Sequence, residues 1–142
     1  MVERAASPHV AQLLHSALQR ADSVFAQSVG PQTLTRSQFA VLNAVKQSGG
    51  GGTQSALVEV TGIDRSSIAD LVARLVKRGW LQRRRAEHDK RAYSVRLTAK
   101  GAAVFAAAEP AARQTEDLLL APLSKAERLQ FLRALEKVVA RE

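Results

Sequence analysis

Between Thr53 and Leu97 the sequence changes its period, and no other feature limits the possible fold as strongly. Up to Arg78, apolar residues recur at three- and four-residue steps. Beyond Gly79 they alternate with polar ones, Leu81 against Gln82 and Arg83, then Val95 and Leu97 against Ser94 and Arg96. The first spacing fills one face of a helix and the second one face of a strand, so helices must give way to two short strands. Before the change, Thr53 reads as the N-cap of a helix to Val60 that buries Ala56, Leu57 and Val60, and Thr61-Gly62-Ile63 reads as a tight turn. Asp64 caps the next helix, with Ile68, Leu71, Val72 and Leu75 inward and Arg65, Ser66, Ser67, Asp70, Arg74 and Lys77 outward. Gly79 suits a left-handed C-terminal cap, and the charged segment Arg84 to Arg91 suits an exposed hairpin loop.

Helices are expected on both sides of this stretch. From Pro8 to Ser28, Val10, Leu13, Leu14, Ala17, Leu18, Ala21, Val24 and Phe25 form one apolar face, ended by Gly30 and Pro31. Thr35 and Gln38 have the spacing of a capping box opening a second helix with Phe39, Leu42 and Val45, which stops at the flexible glycine run Gly49 to Gly52. Thr98 caps an alanine-rich helix towards Leu120, which Pro110 should kink unless it marks a boundary. Ser124 and Glu127 form another capping box, ahead of Leu129, Leu132, Leu135, Val138 and Val139 on one face. The chain of 142 residues suits a single domain, mainly α with a small β-hairpin.

Composition narrows the chemistry. Lys plus Arg total 21 against 13 for Asp plus Glu, a formal net charge of +8 that favours a polyanionic partner. With no cysteine, disulfides, thiolate metal sites and thiol redox sensing are excluded. No signal-like N-terminus is seen, and no apolar run nears the roughly 20 residues of a membrane span, so a cytoplasmic location is expected. No Ser-His-Asp order or close carboxylate pair recommends catalysis, and Gly49 to Gly52 lacks the Lys-Ser/Thr of a phosphate-binding loop, so an enzyme is not expected. No cofactor is expected either.

Two helices joined by a glycine turn and followed by a basic hairpin form the order of a winged helix-turn-helix. Its second helix can enter the major groove, where Arg65 and Arg74 offer long donors and Ser66 and Ser67 allow close approach of the helix start. Thr53, Asp70 and Lys77 complete the candidate reading surface. Arg83, Arg84, Arg85, Lys90 and Arg91 fall within nine residues, a density of like charge that a polyanion would offset. Lys90 or Arg91 at the hairpin tip suits a narrow minor groove. Asp89, which would repel phosphate, suits a brace that orients an arginine, or simply a turn residue.

The strings Leu75-Val76-Lys77-Arg78-Gly79-Trp80-Leu81, Asp89-Lys90-Arg91 and Leu97-Thr98-Ala99-Lys100-Gly101 resemble the MarR family of bacterial transcriptional regulators, and the resemblance covers nearly the whole chain. It implies a winged helix-turn-helix lobe at 35–97, with dimerisation helices at 1–30 and 99–142. By position, Asp64 to Arg78 would be the recognition helix, and Asp89 and Arg91 the wing pair. The resemblance further implies a homodimer on a pseudo-palindromic operator of double-stranded DNA. It also implies release by a small aromatic or phenolic effector, often bearing a carboxylate, held between the dimerisation helices and the lobe.

The effector residues are open at this level. His9 and His15 suit an effector or a metal, but six residues separate them around the helix, and His88 has only Glu87 and Asp89 beside it, so no metal site is expected. Arg36 suits an anionic effector and a surface role equally. Phe39, like Phe25, Trp80 and Phe105, suits core packing as well as a pocket. Two other functions use the same residues: a constitutive architectural DNA-binding protein without an effector, and a protein-interaction module built on the winged fold.

Overall fold

The computed structural model describes residues 9–30, 34–49, 52–86 and 89–140, with the side chains of 86–92 outside the description. Among the described residues, six helices and three strands follow in the order α1 (Val10–Val29), α2 (Arg36–Gln47), β1 (Gly52–Thr53), α3 (Gln54–Thr61), α4 (Arg65–Lys77), β2 (Leu81–Ala86), β3 (Asp89–Leu97), α5 (Ala99–Leu119) and α6 (Lys125–Val139). The capping residues act as their chemistry predicts. Thr35 and Ser124 each complete a reciprocal capping box, while the side chains of Thr53, Asp64 and Thr98 accept backbone N–H groups at the starts of α3, α4 and α5.

The core lies where α2, α3, α4, α5 and the sheet meet. Val41, Leu42 and Val45 from α2, Leu57 from α3, and Ile68, Val72 and Leu75 from α4 are buried together with Val95 and Phe105. In α3 the buried side is narrower than the spacing predicts: Leu57 is buried and Val58 half-buried, but Ala56 is exposed and Val60 is 70% exposed. An eight-residue helix turns too little of its surface inward to bury all three expected positions.

Three further differences separate the structure from the sequence pattern. The last glycine of the run is a strand residue: Gly52 and Thr53 pair antiparallel with Val95 and Ser94, giving a sheet of order β1-β3-β2. The hairpin arms also run farther than expected. Arg84 and Arg85 pair with Ser94 and Tyr93, so they belong to β2, and Lys90 and Arg91 belong to β3. Residues 87 and 88 alone separate the strands, and they lie outside the described residues. Finally, Pro110 lies inside the single helix α5 and does not end it.

α1 and α6 are less enclosed. Ala21 and Phe25 are the buried residues of α1, whereas Val10, Leu13, Leu14 and Leu18 are exposed. No residue of α6 is buried, and Leu129, Phe131, Leu132, Val138 and Val139 are all exposed. None of the helices among the described residues is long and apolar enough to cross a membrane.

Candidate nucleic-acid interface

The pairing of α3 with α4 sets one helix face towards solvent. Gly62 ends α3 in the left-handed region at φ 71°, and its N–H donates to the Val58 carbonyl at 2.9 Å. Two residues later Asp64, itself in extended backbone, accepts the Ser67 N–H and starts α4. Burial of Ile68, Val72 and Leu75 turns the opposite side of α4 outward. Ser66, Asp70 and Arg74 then follow at four-residue steps with Lys77 three beyond, a continuous exposed stripe. Arg65 is exposed beside it, and Ser67 is half-buried at its edge.

Two polar contacts shape the start of this stripe. The Ser66 hydroxyl donates to Asp64 Oδ2 at 2.8 Å, leaving the oxygen of Ser66 to act as an acceptor for a base amino group. Hydrogen bonds from the Ser67 and Ser66 side chains, supported by the Ser67 amide, hold the Asp64 carboxyl below its ordinary value of 3.8. The helix start therefore carries a firmly ionised cap. Arg65 reaches back to α3, its Nη2 donating to Ser55 Oγ at 3.4 Å. Thr53 Oγ1 accepts the Ala56 N–H at 3.2 Å, so its hydroxyl caps α3.

The wing is attached rigidly to α4. Gly79 at φ 79° lets the chain reverse, and the Trp80 N–H donates to the Leu75 carbonyl at 3.0 Å, closing the helix end. The Arg78 guanidinium lies 4.1 Å from the centre of the Trp80 ring. From the other side, the Thr98 N–H donates to the Trp80 carbonyl at 3.1 Å and the Thr98 hydroxyl to the Gly79 carbonyl at 2.5 Å. The reading helix, the wing and the start of α5 thus share one junction. Arg83, Arg84 and Arg85 are exposed along β2. Asp89, Lys90 and Arg91 occupy the first positions of β3, but their side chains lie outside the described ones, so the bracing role expected of Asp89 belongs to that undescribed set.

A separate cleft of about 540 Å³ opens between α1 and the start of α2. Phe25, Ala26 and Leu34 provide its apolar wall, and Asp22, Thr35 and Arg36 its polar rim. Arg36 Nε donates to Asp22 Oδ1 at 2.5 Å, with the two side chains 30% and 53% exposed. Of the four effector candidates in the sequence, Arg36 alone lines this cleft. Phe39 lies behind it, tilted against Phe25 at a ring-centre distance of 5.7 Å and stacked on Phe105 at 4.9 Å. His15 and His9 are about 10 and 20 Å from Asp22 along the helix axis, too far to share the cleft's rim. Asp22 itself escaped the sequence pattern, because it sits outside the apolar face of α1 and meets its partner across 14 residues. Among the described residues, no group of three His, Asp or Glu side chains is placed to hold a metal ion.

Residues 32–92 match the sequence model of the MarR family. The transcriptional repressor NicR of Pseudomonas putida is 35% identical over 92% of this chain and 82% of its own length. The structure resembles that of BpsR of Bordetella bronchiseptica, a protein whose DNA binding is regulated by 6-hydroxynicotinic acid. The TM-score is 0.84 at 30% identity, covering 93% of this chain and 99% of the other. A variant of MarR from Escherichia coli, solved in complex with operator DNA, superposes with a TM-score of 0.83 at 26% identity over 94% of this chain and 95% of its own. With its exposed α4 stripe, its basic wing and these relatives, the chain belongs to the MarR family: it is a winged-helix, DNA-binding transcriptional regulator and not an enzyme.

Proposed function

We propose that the protein is a homodimeric repressor that binds a pseudo-palindromic operator and is released from it by a small aromatic or phenolic effector, often a carboxylate. The observation that carries the DNA half of this reading is the exposed stripe on α4. Ser66, Asp70, Arg74 and Lys77 lie along one exposed helix face, with Arg65 beside it and Ser67 at its edge, next to a strand bearing Arg83, Arg84 and Arg85. Arginine forks suit guanine edges or phosphates, and the strand cations suit the adjacent backbone. Thr53, Lys90 and Arg91 are assigned to the same surface, with Asp89 as the wing brace.

The dimer reading rests on apolar area. The exposed leucines and valines of α1 and α6 form faces that a lone chain would leave in water, and a second copy covers them at a two-fold axis. That axis places two α4 helices for half-sites about one DNA turn apart. The protein then works in the bacterial cytoplasm, where its operator is. The effector reading rests on BpsR, whose DNA binding answers to 6-hydroxynicotinic acid, and on the presence here of a cleft next to α1.

Fluorescence anisotropy with selected DNA tests the reading. Binding should weaken steeply with salt, survive excess random DNA, and be reversed by members of an aromatic acid and phenol panel. Loss of binding to random competitor would favour the constitutive architectural alternative, and operator binding unmoved by the whole panel would remove the effector.

A further inference from the structure

We propose that Asp70 sets the sequence specificity of the α4 reading face: its carboxylate accepts the amino group of a cytosine in the major groove and, by repelling phosphate, weakens binding to DNA that lacks this base. The inference deepens the DNA reading given above and rests on it.

Asp70 lies second in the exposed stripe, between Ser66 and Arg74. Among the described residues it makes no hydrogen bond or ion pair, and none closes to Arg74 one turn further on. The fold does not need this charge. Asp64 already caps the helix, and Asp70 is the sixth helical residue, beyond the first turn where a helix dipole favours an acid. On the face that a chain of net charge +8 offers to DNA, an unpartnered acid lowers affinity unless it meets a donor there.

The neighbours divide the stripe by hydrogen-bonding type. The Ser66 proton is committed to Asp64 Oδ2, so its oxygen is an acceptor, and Asp70 adds two more acceptor oxygens one turn on. Arg65, beside them, reaches back to Ser55 Oγ. Donors on the stripe begin at Arg74. The N-terminal half of the reading face thus asks the DNA for donors, and the C-terminal half supplies them.

In the major groove two bases carry a donor, cytosine through its N4 amino group and adenine through N6. A carboxylate distinguishes them. Beside the adenine amino group lies the N7 acceptor, which repels the second carboxylate oxygen, whereas beside the cytosine amino group lies a C–H. Thymine O4 and guanine O6 and N7 are acceptors and repel it outright. Arg74 stands about 5.4 Å further along the helix axis, more than the roughly 3.4 Å between base pairs, so its fork suits a guanine on a neighbouring pair.

Anisotropy titrations of the full-length protein test this, using a duplex that it enriches from a random library and every single-base-pair variant of the enriched site. Wild type should prefer cytosine over thymine by about tenfold at one position of each half-site. Asp70→Asn removes the charge at nearly the same size and can pair with adenine N6 and N7, so the preference there should move to adenine. The same variant should bind random duplex about three- to tenfold more tightly than wild type, with its urea midpoint near the original. Asp70→Ala should gain on random duplex likewise and show no preference at that position. Retention of every wild-type base preference in both variants would overturn the inference. So would equal losses on enriched and random duplex, the mark of a merely structural role. The two readings fail differently. A wild type that enriches no sequence removes specific reading by α4 and Asp70 with it, whereas a selective wild type whose preferences survive in both variants removes Asp70 alone.

Discussion

Gly101 sits against the backbone of Trp80 so closely that a Cβ added there would overlap the Trp80 carbonyl oxygen and lie 2.8 Å from the carbonyl carbon. Gly101 lies in the first turn of α5, and its N–H donates to Thr98 Oγ1 at 3.0 Å. The missing side chain lets α5 start directly on the turn that joins the reading helix to the wing. By helix propensity alone, Gly101→Ala should stabilise by about 1 kcal/mol. The overlap is with rigid backbone, so the expected net result is a loss of about 1–3 kcal/mol, as in other overpacked sites. A urea midpoint that falls confirms the contact, and one that rises refutes it.

Arg74 and Lys77 lie on one exposed stripe but are expected to fail differently. Arg74→Ala should cost about 1–3 kcal/mol of operator affinity and relax preference at one base pair, the signature of a base contact. Lys77→Ala should weaken all sequences alike and lower the salt slope by about one, as for a lost phosphate contact. Anisotropy titrations over a salt series with operator and scrambled DNA separate the two.

On the wing, removing Arg84, Lys90 and Arg91 together should flatten the salt dependence by roughly two to three units while the urea midpoint stays near its original value. An unchanged slope would move the DNA backbone away from the wing.

The exposed Leu13 of α1 and Leu132 of α6 give a test of assembly. Glutamate at both positions sets charge into a face that the dimer should bury, so sedimentation should report a monomer at micromolar concentration where the wild type is a dimer. A monomeric wild type would refute the dimer directly.

Asp64 predicts an acid limb. Its carboxyl titrates below 3.8 in the folded chain because the Ser67 and Ser66 groups bind the charged form. A depressed acid stabilises fully above its ordinary value, and that contribution is lost as pH falls through the folded value. Asp64→Asn keeps a capping oxygen without the charge. Wild type should therefore exceed the variant in urea midpoint near neutral pH, and the gap should close as the pH falls below about 3.8. A gap independent of pH would rule out the charged cap.

Features that depend on neighbours along the chain were legible in the sequence. Thr35, Thr53, Asp64, Thr98 and Ser124 announce helix starts because each bonds an amide within three residues. Gly62 and Gly79 announce turns because both sit where φ is positive. The 3.6-to-2 change of period marks reading helix and wing, since it follows from which faces are buried.

Features that depend on distant partners were decided only by the tertiary structure. Gly52 becomes a strand residue because β3 returns beside it, more than forty residues later in the chain. Val60 is exposed because none of the described residues packs over that side of α3. Asp22 finds Arg36 across a helix, a turn and the start of another helix, and no local pattern marks either as the other's partner. Local hydrogen bonds and periodicity are written into adjacent residues, whereas the cleft, the third strand and the Gly101 contact exist only once the elements have packed.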